Sequence, residues 1–105
     1  MSKFLIIKTT GNDKNILEKI ANKLLKDKIC ACVNLISNVH SLYYWNKKLQ
    51  KDEEYILLIK TLKKNEVMAY KNIKLLHNYK VPEVSSIEVT NSNKEYFNWL
   101  NKNIK

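Results

Sequence analysis

Arginine is missing from this chain of 105 residues, and every one of its 19 basic side chains is a lysine. The guanidinium fork is what clamps phosphates in pairs and reads guanine edges, so its absence argues against nucleic-acid recognition despite a net charge of +9. The lysines are also spread along the chain instead of forming a block. Lys, Asn, Ile and Tyr are over-used while Gly, Pro and Ala are scarce, a bias that an A/T-rich coding sequence produces. One glycine, Gly11, excludes a glycine-rich phosphate loop, and neither HExxH, CxxC nor a nucleophile elbow occurs, so an enzyme is not expected. Two cysteines, Cys30 and Cys32, are too few for a disulfide framework or a four-ligand structural zinc site. On one strand they would share a face, and as free thiols they fit a reducing cytoplasm. No apolar run approaches the ~20 residues of a membrane span. The N-terminal MSKFLIIKTTG has no small-residue cleavage site after its short apolar stretch. A cytoplasmic protein with no membrane partner is the expectation.

What the chain does contain is a folding composition. Hydrophobic residues make up 45% and there are ten aromatics, enough for one domain over 1–105 that buries roughly two-thirds of its unfolded surface. Residues 3–10 (KFLIIKTT) read as a central strand, broken at Gly11-Asn12-Asp13, where Asn12 or Asp13 caps a helix. Ile16, Leu17, Ile20, Ala21, Leu24 and Leu25 recur at helical spacing to about residue 28. Two arms rich in Val, Ile, Leu, Tyr and Trp follow, Ile29–Trp45 and Leu49–Lys60. The polar turn Asn46-Lys47-Lys48 between them predicts a long β-hairpin, with a kink or bulge at Ser37-Asn38. A second helix is expected over Lys63–His77, with Val67, Tyr70, Ile73 and Leu76 on its apolar side. Asn78–Pro82 reads as a turn, since Pro82 cannot continue a helix. Val84, Ile87 and Val89 read as a strand. Tyr96, Phe97 and Leu100 mark a terminal helix capped near Ser92 or Asn93.

The order β-α-β-β-α-β plus a C-terminal helix is the α+β, ferredoxin-like arrangement of two helices on one face of a four-stranded antiparallel sheet. The hairpin is too long for such a sheet. Its overhanging part leaves unpaired edges, and another copy of the same chain is the natural cover.

Several motifs then share an order and spacing with a known family: Ala31-Cys32-Val33-Asn34, the aromatics Tyr43-Tyr44-Trp45, and Glu54 six residues before Lys60-Thr61. They continue with His77-x-Tyr79-x-x-Pro82-Glu83 and Tyr96-x-x-Trp99-Leu100. From about Phe4 to Ile104 the chain resembles the CutA family of divalent-cation tolerance proteins. The resemblance implies a PII-like topology, a tight homotrimer in which the hairpin pairs with neighbouring subunits, and a role in the response to divalent metal ions, copper above all. Family members usually carry glycine at the positions of Asn38, Lys47 and Asn91 and proline at Asn78. Asparagine tolerates the left-handed backbone, whereas Lys47 does so less readily and leaves Asn46 to take the strained position.

The candidate metal ligands are Cys32, a soft thiolate suited to Cu(I) or zinc, and His77, an imidazole suited to Cu(II) or zinc. Burial of both cysteines in a strand and a plain helix cap at His77 are the competing structural roles. His40 has no motif around it and reads as a surface residue. A shared ligand-binding cleft is expected from Lys60, Tyr79 and Glu83, with Glu54 as a further partner and Tyr43 and Trp45 as lining. Lys60 closes an apolar strand and needs a partner or a wet cleft. No cofactor is expected to be required; copper or another divalent cation is the candidate ligand. The alternative is a PII-like sensor holding a small anionic metabolite between subunits, or a trimeric scaffold for a protein partner.

Overall fold

The computed structural model describes residues 3–105; residues 1 and 2 of the expected single-domain span lie outside the described residues. Strand β1 runs Phe4–Gly11, helix α1 Lys14–Lys26, and the hairpin strands are β2, Cys32–Trp45, and β3, Lys48–Thr61. A short 3-10 turn at Lys63–Asn65 leads into α2, Glu66–Leu76, followed by β4, Val84–Val89, and α3, Lys94–Lys102. The antiparallel sheet has the order β2-β3-β1-β4, as the ferredoxin-like reading requires.

Local chemistry explains the elements. Asp13 caps α1, its carboxylate accepting the backbone N–H of Asn15 at 3.0 Å and of Ile16 at 3.3 Å. Leu17, Ile20 and Leu24 then recur on one face and are fully buried. The helix ends without glycine. Lys28 takes the left-handed backbone (φ 56°), while the N–H groups of Lys28 and Ile29 return to the carbonyls of Leu25 and Leu24 at 3.1 and 2.9 Å. The hairpin turn is the two residues Asn46 and Lys47, both left-handed at φ 52° and 64°, the I′ signature. Asn46 therefore does not spare Lys47. Asn38 (φ 62°) sits in the bulge where the register slips between Ile36 and Val39, whereas Asn91 is not among the left-handed residues.

Three expectations are corrected. β1 keeps Gly11, paired with Tyr55. β2 begins at Cys32, not Ile29, because Ile29 and Cys30 turn into the core (8% and 1% exposed) instead of joining the ladder. In α2 Ile73 is buried and Tyr70 packs on the core as expected, but Ala69 joins them while Val67 is 81% and Leu76 37% exposed, because the stripe that meets the core is turned toward Ala69.

Ile7, Leu57 and Ile59 face α1 and α2 and form the main core with Leu17, Ile20, Leu24 and Ile73. The opposite face carries Phe4 and Ile6, which alternate with these along β1 and pack under Leu100, Tyr96 and Phe97 of α3. Beyond α3 that face is open: Ile56 and Leu58 are half-buried and Ile36 and Ile87 exposed. From Lys48 to Glu54, β3 pairs with β2 alone, so the hairpin overhangs β1 by roughly 20 Å and leaves Leu42, Tyr44, Trp45 and Leu49 exposed.

Candidate functional site

Past the end of β1 the chain from α2 crosses to β4, and its segment Asn78–Val81 faces the overhanging hairpin. Between them lies an open cleft of about 640 Å³ lined by Asn12, Tyr43, Trp45, Gln50, Asp52, Glu54, Asn78, Tyr79, Lys80 and Val81. Gln50, Asp52 and Glu54 alternate along β3 and so share one side of the ribbon. Two carboxylates thereby enter the same space.

Each carboxylate accepts from a phenol. Tyr79 donates to Glu54 Oε2 at 2.6 Å, and Tyr43 donates to Asp52 Oδ2. Burial, then the hydrogen bond and field of Glu54, push the Tyr79 phenol well above the usual tyrosine range. For Tyr43 the hydrogen bond to Asp52 is the first cause of an upward shift. The phenols are thus held as neutral donors and the carboxylates as acceptors. Glu54 is 8% exposed, and no lysine pairs with it among the described residues.

Tyr79 is positioned by His77. Imidazole Nδ1 accepts the Tyr79 backbone N–H at 3.0 Å, which leaves Nε2 as the protonated nitrogen, donating to the Thr10 carbonyl at 2.7 Å. The rings of His77 and Tyr79 also pack at 4.8 Å between centroids. Gly11 lets the imidazole sit there, since a Cβ on it would stand 3.3 Å from His77 Cε1. His77 therefore has no lone pair left for a metal ion in this arrangement. The expected imidazole ligand is instead a buried strut behind the cleft.

The remaining expected residues lie apart. Cys32 opens β2 opposite Lys60, and Lys60 pairs with Ile6, whereas His77 meets Thr10 at the other end of β1. Ile6 and Thr10 are four residue steps apart, about 13 Å along β1. Lys60 places its ammonium 5.5 Å from the Tyr96 ring centre, a cation–π contact with α3, and does not enter the cleft. Glu83 pairs with Lys8 at 3.4 Å on the half-exposed sheet face and accepts from Ser85 at 3.2 Å. Within the chain, then, Tyr79 joins Glu54, Tyr43 and Trp45, while Lys60 and Glu83 do not. Cys32 is half-buried and free; Cys30 is buried, and burial pushes its thiol up to about 12. His40 is exposed. Among the described residues no group of three or more His, Cys, Asp or Glu side chains is arranged to hold a metal ion.

Asp52 and Gln50 were not anticipated from the sequence, although the period of two from Glu54 pointed to them. Asn12 and Asn78, linked at 3.1 Å, carried no such signal.

A family model described as CutA1 divalent ion tolerance protein matches residues 5–103. The divalent-cation tolerance protein CutA of Thermus thermophilus is 31% identical over 98 residues, covering 93% of this chain and 95% of that protein. Its counterpart in Pectobacterium atrosepticum is 32% identical over 101 residues, covering 96% and 92%. Among solved structures, CutA from Xylella fastidiosa superposes with a TM-score of 0.94 at 31% identity, covering 99% of this chain and all (100%) of that one. CutA1 from Pyrococcus horikoshii gives 0.90 at 34% identity, covering 96% and 98%.

Proposed function

This chain belongs to the CutA1 divalent ion tolerance family, and from that premise we propose that it acts in divalent-cation tolerance as a homotrimer, taking the cation beside Glu54 and Asp52. The observation that carries this reading is Glu54: a buried carboxylate with one neutral donor and no ion-pair partner among the described residues. Removing a carboxylate from water costs several kcal/mol unless an opposite charge compensates, and a divalent ion between Glu54 and Asp52 supplies it. Gln50, Asn12 and Asn78 line the same cleft, and amide oxygens are of the hard type such an ion takes, that of Asn12 also accepting from Asn78 at 3.1 Å. An anionic metabolite there would meet the same two carboxylates, which weighs against the sensor alternative.

Copper has a second route. Of the two sulfurs, only Cys32 combines partial exposure with a place on the open sheet face, where a thiolate suits Cu(I). The trimer reading draws on the open face and on the overhanging ribbon, whose apolar residues and free edges are covered when sister chains pair with them. A binding protein rather than an enzyme fits a chain whose buried histidine spends both nitrogens on structure. Two free cysteines fit a reducing cytoplasm.

Titration of manganese, zinc and copper against the thermal transition tests the reading, since a ligand that binds only the folded state raises Tm. Glu54→Gln should lose the manganese and zinc shifts and leave the part specific to copper, which Cys32→Ser alone should lose. A full shift retained by Glu54→Gln would remove the cation from the cleft. Sedimentation of a lone 12.4 kDa particle would remove the trimer.

A further inference from the structure

Lysines that are dispersed in the sequence converge at the Thr61 end of β3, away from the cleft. Lys26 and Lys28 close α1, Lys64 lies in the 3-10 turn before α2, and Lys105 follows α3. With Asn65 and Met68 they line an open groove of about 770 Å³ that shares no residue with the cleft. The groove is built by main-chain and buried contacts. The Lys105 N–H donates to the Lys28 carbonyl at 2.9 Å, while Asn65 Nδ2 and Thr61 Oγ1 both donate to the Ile29 carbonyl, at 3.1 and 2.5 Å.

None of these four ammonium groups is in an ion pair among the described residues, whose pairs are Lys8–Glu83, Lys23–Asp27 and Lys63–Glu66. The one side-chain carboxylate among the residues that line the groove, Asp27, is already engaged by Lys23 at 2.8 Å. It is held below the usual carboxylate range chiefly by that hydrogen bond, and further by Lys26 and Lys105. Lys28, moreover, occupies the left-handed residue of the helix end, where glycine is the least strained choice. Like charges gathered around a concavity repel one another and raise the local concentration of anions.

We propose that this groove binds a small anion bearing two or more phosphates, held by the ammonium groups of Lys26, Lys28, Lys64 and Lys105. Lysine serves phosphate as a point charge, so the missing guanidinium fork is no obstacle. One phosphate carries a charge of about −1.5 to −2, so a chain of two or three matches four ammonium groups where a single phosphate does not.

Calorimetric titration of the full chain with inorganic triphosphate and, separately, with ATP tests this at low and high salt. Saturable triphosphate binding that weakens with salt is the expected result, and Lys28→Gln/Lys64→Gln should reduce it roughly tenfold. The control Lys71→Gln/Lys74→Gln, of equal net charge, should leave it unchanged. ATP binding with the same dependence on Lys28 and Lys64 would extend the site to nucleotides, and triphosphate binding without ATP would restrict it to bare phosphate chains; both support it. No saturable triphosphate binding, binding of ATP alone, or equal loss in the control pair would overturn it.

Discussion

Replacing Gly11 with alanine should loosen the cleft from behind. The added Cβ would stand 3.1 Å from Leu17 Cδ2, 3.3 Å from His77 Cε1 and 3.4 Å from His77 Nε2. Leu17 is fully buried in the main core and has nowhere to go, so the imidazole must yield. Yielding stretches the Nε2–H bond to Thr10 and the Tyr79 N–H bond to Nδ1, the two contacts that aim Tyr79 at Glu54. Overpacking of this kind costs about 1–3 kcal/mol, and a weakened buried hydrogen bond adds about 1 kcal/mol. A total of about 2–4 kcal/mol lowers Tm by roughly 10–20 °C in a domain of this size. Denaturant unfolding at a fixed protomer concentration is the assay, because the stability of an oligomer depends on concentration. The midpoint should fall with an unchanged m-value. A second readout is the Tyr79 phenol, held neutral by burial and then by Glu54, whose titration should move part of the way down toward the ordinary range as Glu54 is released. A variant within about 0.5 kcal/mol of the parent, with its phenol titration unmoved, would refute the wedge between strand and imidazole.

Four further outcomes are expected. A thiol reagent at neutral pH should label Cys32 in the folded protein and Cys30 only after unfolding, and mass spectrometry finding both labelled in the fold would contradict the burial of Cys30. Because burial raises that thiol from 9.0 to about 12, the fold favours its neutral form; its contribution is intact below pH 9 and is lost between 9 and 12, where the unfolded chain ionises first. Cys30→Ala should flatten the decline of denaturation midpoints over that window, and an unchanged slope counts against it. Lys28→Gly removes a left-handed lysine and should stabilise by about 1 kcal/mol while weakening triphosphate binding, so that the two measurements move in opposite directions. Deleting the ribbon between Tyr43 and Glu53 should leave dissociated, poorly soluble chains, an outcome that an intact trimer in sedimentation would exclude.

Elements governed by neighbours a few residues away were legible in the chain itself. Asp13 and the 17-20-24 spacing determine α1, and the I′ turn at Asn46-Lys47 sets the hairpin register, because capping, helical period and turn geometry act over one or two turns of backbone. Element order then sufficed for the sheet topology. What could not be read locally is which faces meet. Cys30 alternates like a strand residue, yet the end of α1 carries it into the core; Val67 has helical spacing and still faces water. The cleft shows the same division. Glu54, Tyr79, Tyr43 and Trp45 come together because the chain after α2 crosses the end of β1. Lys60 leaves them for Tyr96, and Glu83 for Lys8. The gathering of Lys26, Lys28, Lys64 and Lys105 is likewise a property of the tertiary structure alone. Side-chain period and turn chemistry are short-range, whereas a site is assembled by contacts between residues far apart in the chain, whose meeting depends on how every intervening element packs.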